Sequence, residues 1–151
     1  ANAKSEWLQA YIEYETSGSR DGWTDELSLE WTVLVRPGNV QPAILHQTVN
    51  YLDVEDGKHR AVVYVRPGFI RRFTGKKDPN RNDFAVFVEI VVNGERLANR
   101  EYSRSRQPRN WWRAQEPDVR TVDNELLART DTPFAHMDYD FYEHIKPNKR
   151  Q

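Results

Sequence analysis

Leu27-Ser28-Leu29-Glu30-Trp31-Thr32-Val33-Leu34-Val35, followed by Arg36-Pro37-Gly38, decides the fold. Leu27, Leu29, Trp31, Val33 and Val35 occupy every second position, with Ser28, Glu30 and Thr32 between them. Successive side chains of an extended chain point to opposite faces, so this alternation predicts a strand with one buried face, Trp31 included. Proline has no N–H for a ladder, and Pro-Gly suits the centre of a type II turn, so the strand should stop there.

The same pattern extends in both directions. On the N-terminal side, Leu8, Ala10, Ile12 and Tyr14 alternate with Gln9, Tyr11 and Glu13, and Ser17 to Gly22 forms a loop. Trp7 falls on the opposite phase and is expected at the surface or over a sheet face. On the C-terminal side, Ile44 to Val54 is extended, with an irregular alternation that suggests a bulge. Glu55-Asp56-Gly57-Lys58 is a turn, and Ala61 to Val65 is a further strand ending at Arg66-Pro67-Gly68. Val-x-Val-Arg-Pro-Gly therefore occurs twice, at 33–38 and 63–68. A solenoid needs more copies, so the repeat is read as one turn solution used at two strand ends.

Phe69 to Phe73 has helical spacing. Phe84, Val86, Val88, Ile90 and Val92 alternate with Ala85, Phe87, Glu89 and Val91, so both faces are apolar and the strand should be central. Asn93-Gly94 is the strongest short hairpin signal, and Glu95 to Ser103 is the return strand. Beyond it, Trp111-Trp112-Arg113 is expected to be extended, and Val119 to Leu127 is either a strand or a short helix capped by Asp123. The sum is an antiparallel two-sheet sandwich of six to eight strands with one or two short helical turns. An OB-like barrel is the alternative. One domain spans 1–151, with flexible ends at 1–4 and 146–151.

The chain has no cysteine, so disulfides and thiolate metal sites are excluded. At 151 residues it buries roughly 70% of its unfolded surface without a staple. No apolar run reaches membrane-span length. Ala1-Asn2-Ala3-Lys4-Ser5 is small and polar, as expected for a start left by signal-peptide removal. The net charge of −1 hides an asymmetry: residues 1–59 carry four basic and ten acidic groups, and residues 60–113 carry thirteen basic and five acidic. These charges are expected to mix on the folded surface.

No phosphate-binding glycine loop, nucleophile elbow or zinc-protease motif is present. His136, Asp138, Asp140 and His144 are metal-ligand types, but they interleave with Tyr139, Phe141 and Tyr142. The segment is read as aromatic docking; no metal or other cofactor is expected. Carboxylate pairs such as Glu13 with Glu15 are too common in an acid-rich chain to argue a glycosidase. The chain is accordingly expected not to be an enzyme. The residues proposed for binding are Trp23, Trp111 and Trp112, which suit sugar stacking, with Arg104, Arg106 and Arg109. Trp111 and Trp112, being adjacent, are expected to point to opposite sides. Arg96, Ala98, Arg100 and Tyr102 are expected to share one strand face. Arginine beside aromatics also suits single-stranded nucleic acid, but the sequence pI of 6.5 is too low for such a binder, and none is expected.

Trp7 to Tyr14, Leu27 to Trp31 and Thr132 to Glu143 resemble a small verrucomicrobial family of envelope proteins encoded beside type IV pilus components in a mucin-degrading gut bacterium. The resemblance implies an immunoglobulin-like fold, no enzymatic activity and a role in or near a pilus. It implies location in the cell envelope, whether outer-membrane-associated, periplasmic or at the surface. Ala1 to Ser5 is unlike the long apolar helix a pilin polymerises through, so an accessory role fits better. The expected partners are pilus or other envelope proteins, and glycans as the second choice. The isolated chain is expected to be a monomer.

Overall fold

The computed structural model describes residues 7–37, 41–75, 80–103, 107, 110–113, 119–136 and 143–147. Its long strands are β1 (Leu8–Thr16), β2 (Trp23–Val35), β3 (Ala43–Glu55), β4 (Gly57–Val65), β5 (Phe84–Val92) and β6 (Glu95–Ser103). Three short strands follow: β7 (Arg120–Thr121), β8 (Leu126–Ala128) and β9 (His144–Ile145). The described residues also hold one helix, α1 (Pro67–Thr74), between β4 and β5, and three short 3-10 turns. The strands form a small sheet, β1-β4-β8, and a large one, β6-β5-β2-β3-β7, with β9 also on β3. Every pairing is antiparallel except the two-residue contact of β3 with β7. The result is an immunoglobulin-like sandwich of two open sheets, not a closed barrel.

The alternating positions meet between the sheets. Leu27, Leu29, Trp31, Val33 and Val35 of β2 join Ala61, Val63 and Val65 of β4, with Val88 and Leu126, in one core. Burying each large aliphatic side chain contributes about 1.5–3 kcal/mol, which is what holds the sheets face to face. α1 closes one end with Phe69 and Ile70. Pro67 sits in its first turn, where the missing N–H costs nothing, and Gly75, at φ 70, ends it by donating its N–H to Arg71 O.

Several expectations change here. The second Pro-Gly opens a helix instead of a type II turn, and the two Val-x-Val-Arg-Pro segments lie in different sheets. Glu55-Asp56-Gly57 joins β3 of the large sheet to β4 of the small one, so Asp-Gly marks a crossover and not a hairpin. Gly57 makes that corner at φ 141. The irregularity in β3 is no register shift: Trp23 stands opposite Glu55 in the same register as the rest of the pair. It comes from Asp53, at φ 52, which drops out of pairing and turns Val54 into the core in its place. The register shift lies instead between Ile90 and Val91, where Leu97 of β6 is the extra residue. Residues 119–127 form no helix; they hold β7 and the start of β8, with Asn124 at φ 64. Asn93 and Gly94, at φ 50 and 82, make the hairpin as expected.

The charges mix as anticipated: Arg60 pairs with Glu13, Arg66 with Glu125 and Arg96 with Glu30, each a cation of the basic middle meeting an acid from outside it. Lys146 donates its N–H to Asn50 O at 2.8 Å, and its ammonium lies 3.6 Å from Glu26.

Candidate functional site

Three places on the sandwich carry chemistry. The first is a cleft of about 870 Å³ at the β3–β4 corner. Trp23, 47% exposed, forms part of its wall, with acidic Glu13, Glu15, Glu55 and Asp56 around it. His59 is buried at its base, where β4 turns its alternate side chains inward. Its Nδ1 is 2.6 Å from Glu143 Oε1 and its Nε2 is 2.6 Å from Glu55 O, so both ring nitrogens face oxygen acceptors. The Tyr14 ring leans on the imidazole at 5.2 Å. The Tyr14 hydroxyl is buried without a hydrogen-bond partner among the described residues. Burial first, then the neighbouring Tyr51 and Glu143, holds its ionisation above the usual tyrosine range. The His59–Glu143 contact fastens the C-terminal segment to β4. Sequence reasoning missed it, because nothing local to either residue signals the other.

The second place is the outer face of the large sheet. Leu34, Ile44, Ala85 and Phe87 make an apolar patch there, covered by Trp111. Trp111 and Trp112 lie on a 3-10 turn, not an extended segment. They therefore land on the same side of the sheet, edge to face at 5.8 Å, rather than on opposite sides. Trp111 is only 5% exposed and donates its indole N–H to Glu101 at 2.7 Å, which makes it a packing residue. Trp112 stacks flat on Phe87, centroids 4.2 Å apart and planes 1° from parallel, and remains half-buried. It borders a groove of about 450 Å³ with Thr32, His46, Thr48, Glu89, Arg96 and Asn99. Thr32 Oγ1 is 3.2 Å from His46 Nδ1, and burial holds His46 below its ordinary value against the opposing pull of Asp123.

The third place is the free edge of the large sheet. Among the described residues β6 pairs with β5 alone, and it is exposed along almost its whole length. Leu97 and Tyr102, 58% and 54% exposed, are its apolar groups. The bulge at Leu97 corrects the expected arginine row: Arg96 stands opposite Val91, whereas Ala98, Arg100 and Tyr102 stand opposite the core-facing Ile90, Val88 and Val86. Arg96 thus lies on the outer face, hydrogen-bonded to both Glu30 and Glu89.

Trp23 and Trp112 are in separate places, so the proposed binding tryptophans do not form one site. Arg104, Arg106 and Arg109 lie outside the described residues, as do Asp138 and Asp140 of the metal-ligand stretch. His136 and His144 are both exposed, and the described residues include no cluster of three metal-ligating side chains.

These features define an immunoglobulin-like sandwich that, among the described residues, has an open edge at β1 and at β6 and a polar outer groove. A protein-family model matches residues 1–149, and the chain belongs to that family. Three chains of solved structures match it, among them the crystal structure of a protein from Akkermansia muciniphila, a verrucomicrobium. That protein superposes with a TM-score of 0.81 at 26% identity, over 94% of this chain and 78% of its own. No curated protein matches. No helix among the described residues is long and apolar enough to cross a membrane.

Proposed function

We propose that this chain is a non-catalytic cell-envelope protein that binds another protein through the β6 edge. The observation that carries this is β6 itself: an edge strand that among the described residues pairs with β5 alone, whose residues Glu95 to Tyr102 are all exposed, bearing Leu97 and Tyr102. An open edge offers a row of main-chain donors and acceptors to an incoming strand, and apolar side chains beside it add selectivity. The bulge at Leu97 and the charges of Glu95, Arg96 and Arg100 are devices that discourage indiscriminate pairing, so the partner strand must match them. The finer reading is that the partner belongs to a type IV pilus or another surface assembly. Its support is the family resemblance together with the likeness to a verrucomicrobial protein.

The test is capture from native envelope extract with the wild-type chain and with a Leu97→Glu, Tyr102→Glu double variant. Exposed substitutions of this kind change stability by about 0.5 kcal/mol or less, so the variant should fold. A pilus or envelope protein retained by the wild type and lost by the variant is the expected result. Equal retention by both would remove the edge from the reading, and fractionation of the native protein away from the envelope would remove the location.

A further inference from the structure

We propose that the groove on the outer face of the large sheet, bordered by Trp112, Asn99 and Thr48, is a binding site for a neutral saccharide. Trp112 supplies a plate. Its stacking on Phe87 fixes the ring parallel to that partner, leaving one face directed away from it. The C–H face of a pyranose is apolar and slightly positive, and it complements the negative face of an aromatic ring.

Charge decides the ligand class. The groove's carboxylates, Glu30 and Glu89, are both held by Arg96, and Arg113 is its other cation. Two acids therefore balance two bases. A nucleic-acid strand needs a net positive track for its phosphates, and the described residues of this groove make none. An acidic sugar gains no surplus cation either. The side chains of Thr48, Asn99 and Arg113 make no hydrogen bond to another described residue, so they are free to donate to or accept from hydroxyl groups. A plate, unspent polar groups and a balanced charge are together the recognition chemistry of an uncharged polyhydroxyl ligand. The acidic cleft at Trp23 lacks that balance: its lining carries five carboxylates against Lys58 and Arg60.

The groove takes Arg96 and Asn99 from the outer face of β6, whereas strand addition would use the main-chain edge of β6. Its test reads Trp112 and Asn99, whereas the edge test reads Leu97 and Tyr102, so either can fail alone. The probes are arrayed neutral hexose and N-acetylhexosamine oligosaccharides, their sialylated and sulfated counterparts, and oligo(dT), followed by calorimetric titration of any hit. Saturable binding to a neutral oligosaccharide is expected. It should weaken roughly tenfold or more in Trp112→Ala and recover in part in Trp112→Phe, which keeps a smaller plate. Trp23→Ala should bind as the wild type does. If Trp112→Ala fails to fold, Asn99→Ala and Arg113→Ala carry the test, each with an expected loss of severalfold. Absence of any neutral binder, binding confined to acidic glycans or oligo(dT), or undiminished binding by the Trp112 and Asn99 variants would overturn the proposal.

Discussion

The two sheets treat their outer faces differently. On the small sheet, Tyr64 of β4 is buried beneath the chain's own aromatics: Phe134 stacks on it at 4.9 Å, and Trp7 meets both rings edge-on. On the large sheet, among the described residues, Trp111, Trp112 and Val119 cover the end that holds Phe87, and the remainder carries Glu30, Thr48 and Asn99. Apolar area on a sheet must be removed from water, and a small sheet needs only a few rings to do it. The large sheet limits the problem by placing polar residues on its outer face, which leaves hydrogen-bonding groups accessible. A closed face contributes stability, whereas an open one is available for recognition.

The difference is breakable by matched truncations. Tyr64→Ala should cost about 3 kcal/mol, because it empties a buried ring position that its neighbours cannot refill. Trp112→Ala should cost only about 1 kcal/mol, the scale of one stacked pair on a half-buried ring. Urea unfolding at pH 7 compares them directly. Equal costs would mean that Trp112 is as structural as Tyr64 and that the large sheet is closed too.

Between the two sheets, at the β3–β4 corner, packing leaves a polar group unmet. Tyr14→Phe removes a buried hydroxyl that has no partner among the described residues, so it should stabilise the protein by about 1 kcal/mol at neutral pH. The alkaline side gives a second readout. Tyr14 ionises above its ordinary value of 10.0 in the folded chain, so above that value the unfolded state gives up the proton first and stability falls as pH rises, while below it this group leaves stability independent of pH. The phenylalanine variant should therefore lose stability less steeply above pH 10. A destabilised variant at pH 7 would show that the hydroxyl has a partner after all.

How much of this was legible follows from what period-two patterns encode. They report which residues face the core, so β2, β5 and the Asn-Gly hairpin could be placed from sequence. They do not report which sheet a strand joins, so Asp56-Gly57 looked like a hairpin while the chain was crossing between sheets. They also fail wherever one residue is inserted: the extra Leu97 moves Arg96 to the face opposite Arg100, which turns an apparent arginine row into a paired outer-face cation. Adjacent tryptophans point apart only in extended chain, and the 3-10 turn puts both on one side. His59 and Glu143 were invisible because their contact depends wholly on tertiary closure. Of the proposed binding tryptophans, Trp111 proved buried, and Trp112 alone stands at the polar groove.

The smallest expected effect probes how open the open face is. His46 lies on it beside Thr32, and burial is the main cause of its lowered proton affinity. In the unfolded chain it protonates near its ordinary value of 6.5; in the folded chain it resists until the pH is lower. Between those two values the unfolded state binds more protons, so stability falls as pH drops through 6.5 and levels once the folded histidine also protonates. His46→Asn should flatten that part of the acid-side slope while keeping a side chain able to meet the Thr32 hydroxyl. The other histidines are common to both proteins and cancel in the difference. The measurement is the urea midpoint from pH 7.5 to 5 for wild type and variant. Because His46 is exposed on its strand, the flattening should be modest. Parallel pH profiles would mean that water reaches the imidazole as freely as in the unfolded chain, and that the groove at Trp112 is shallower than its walls indicate.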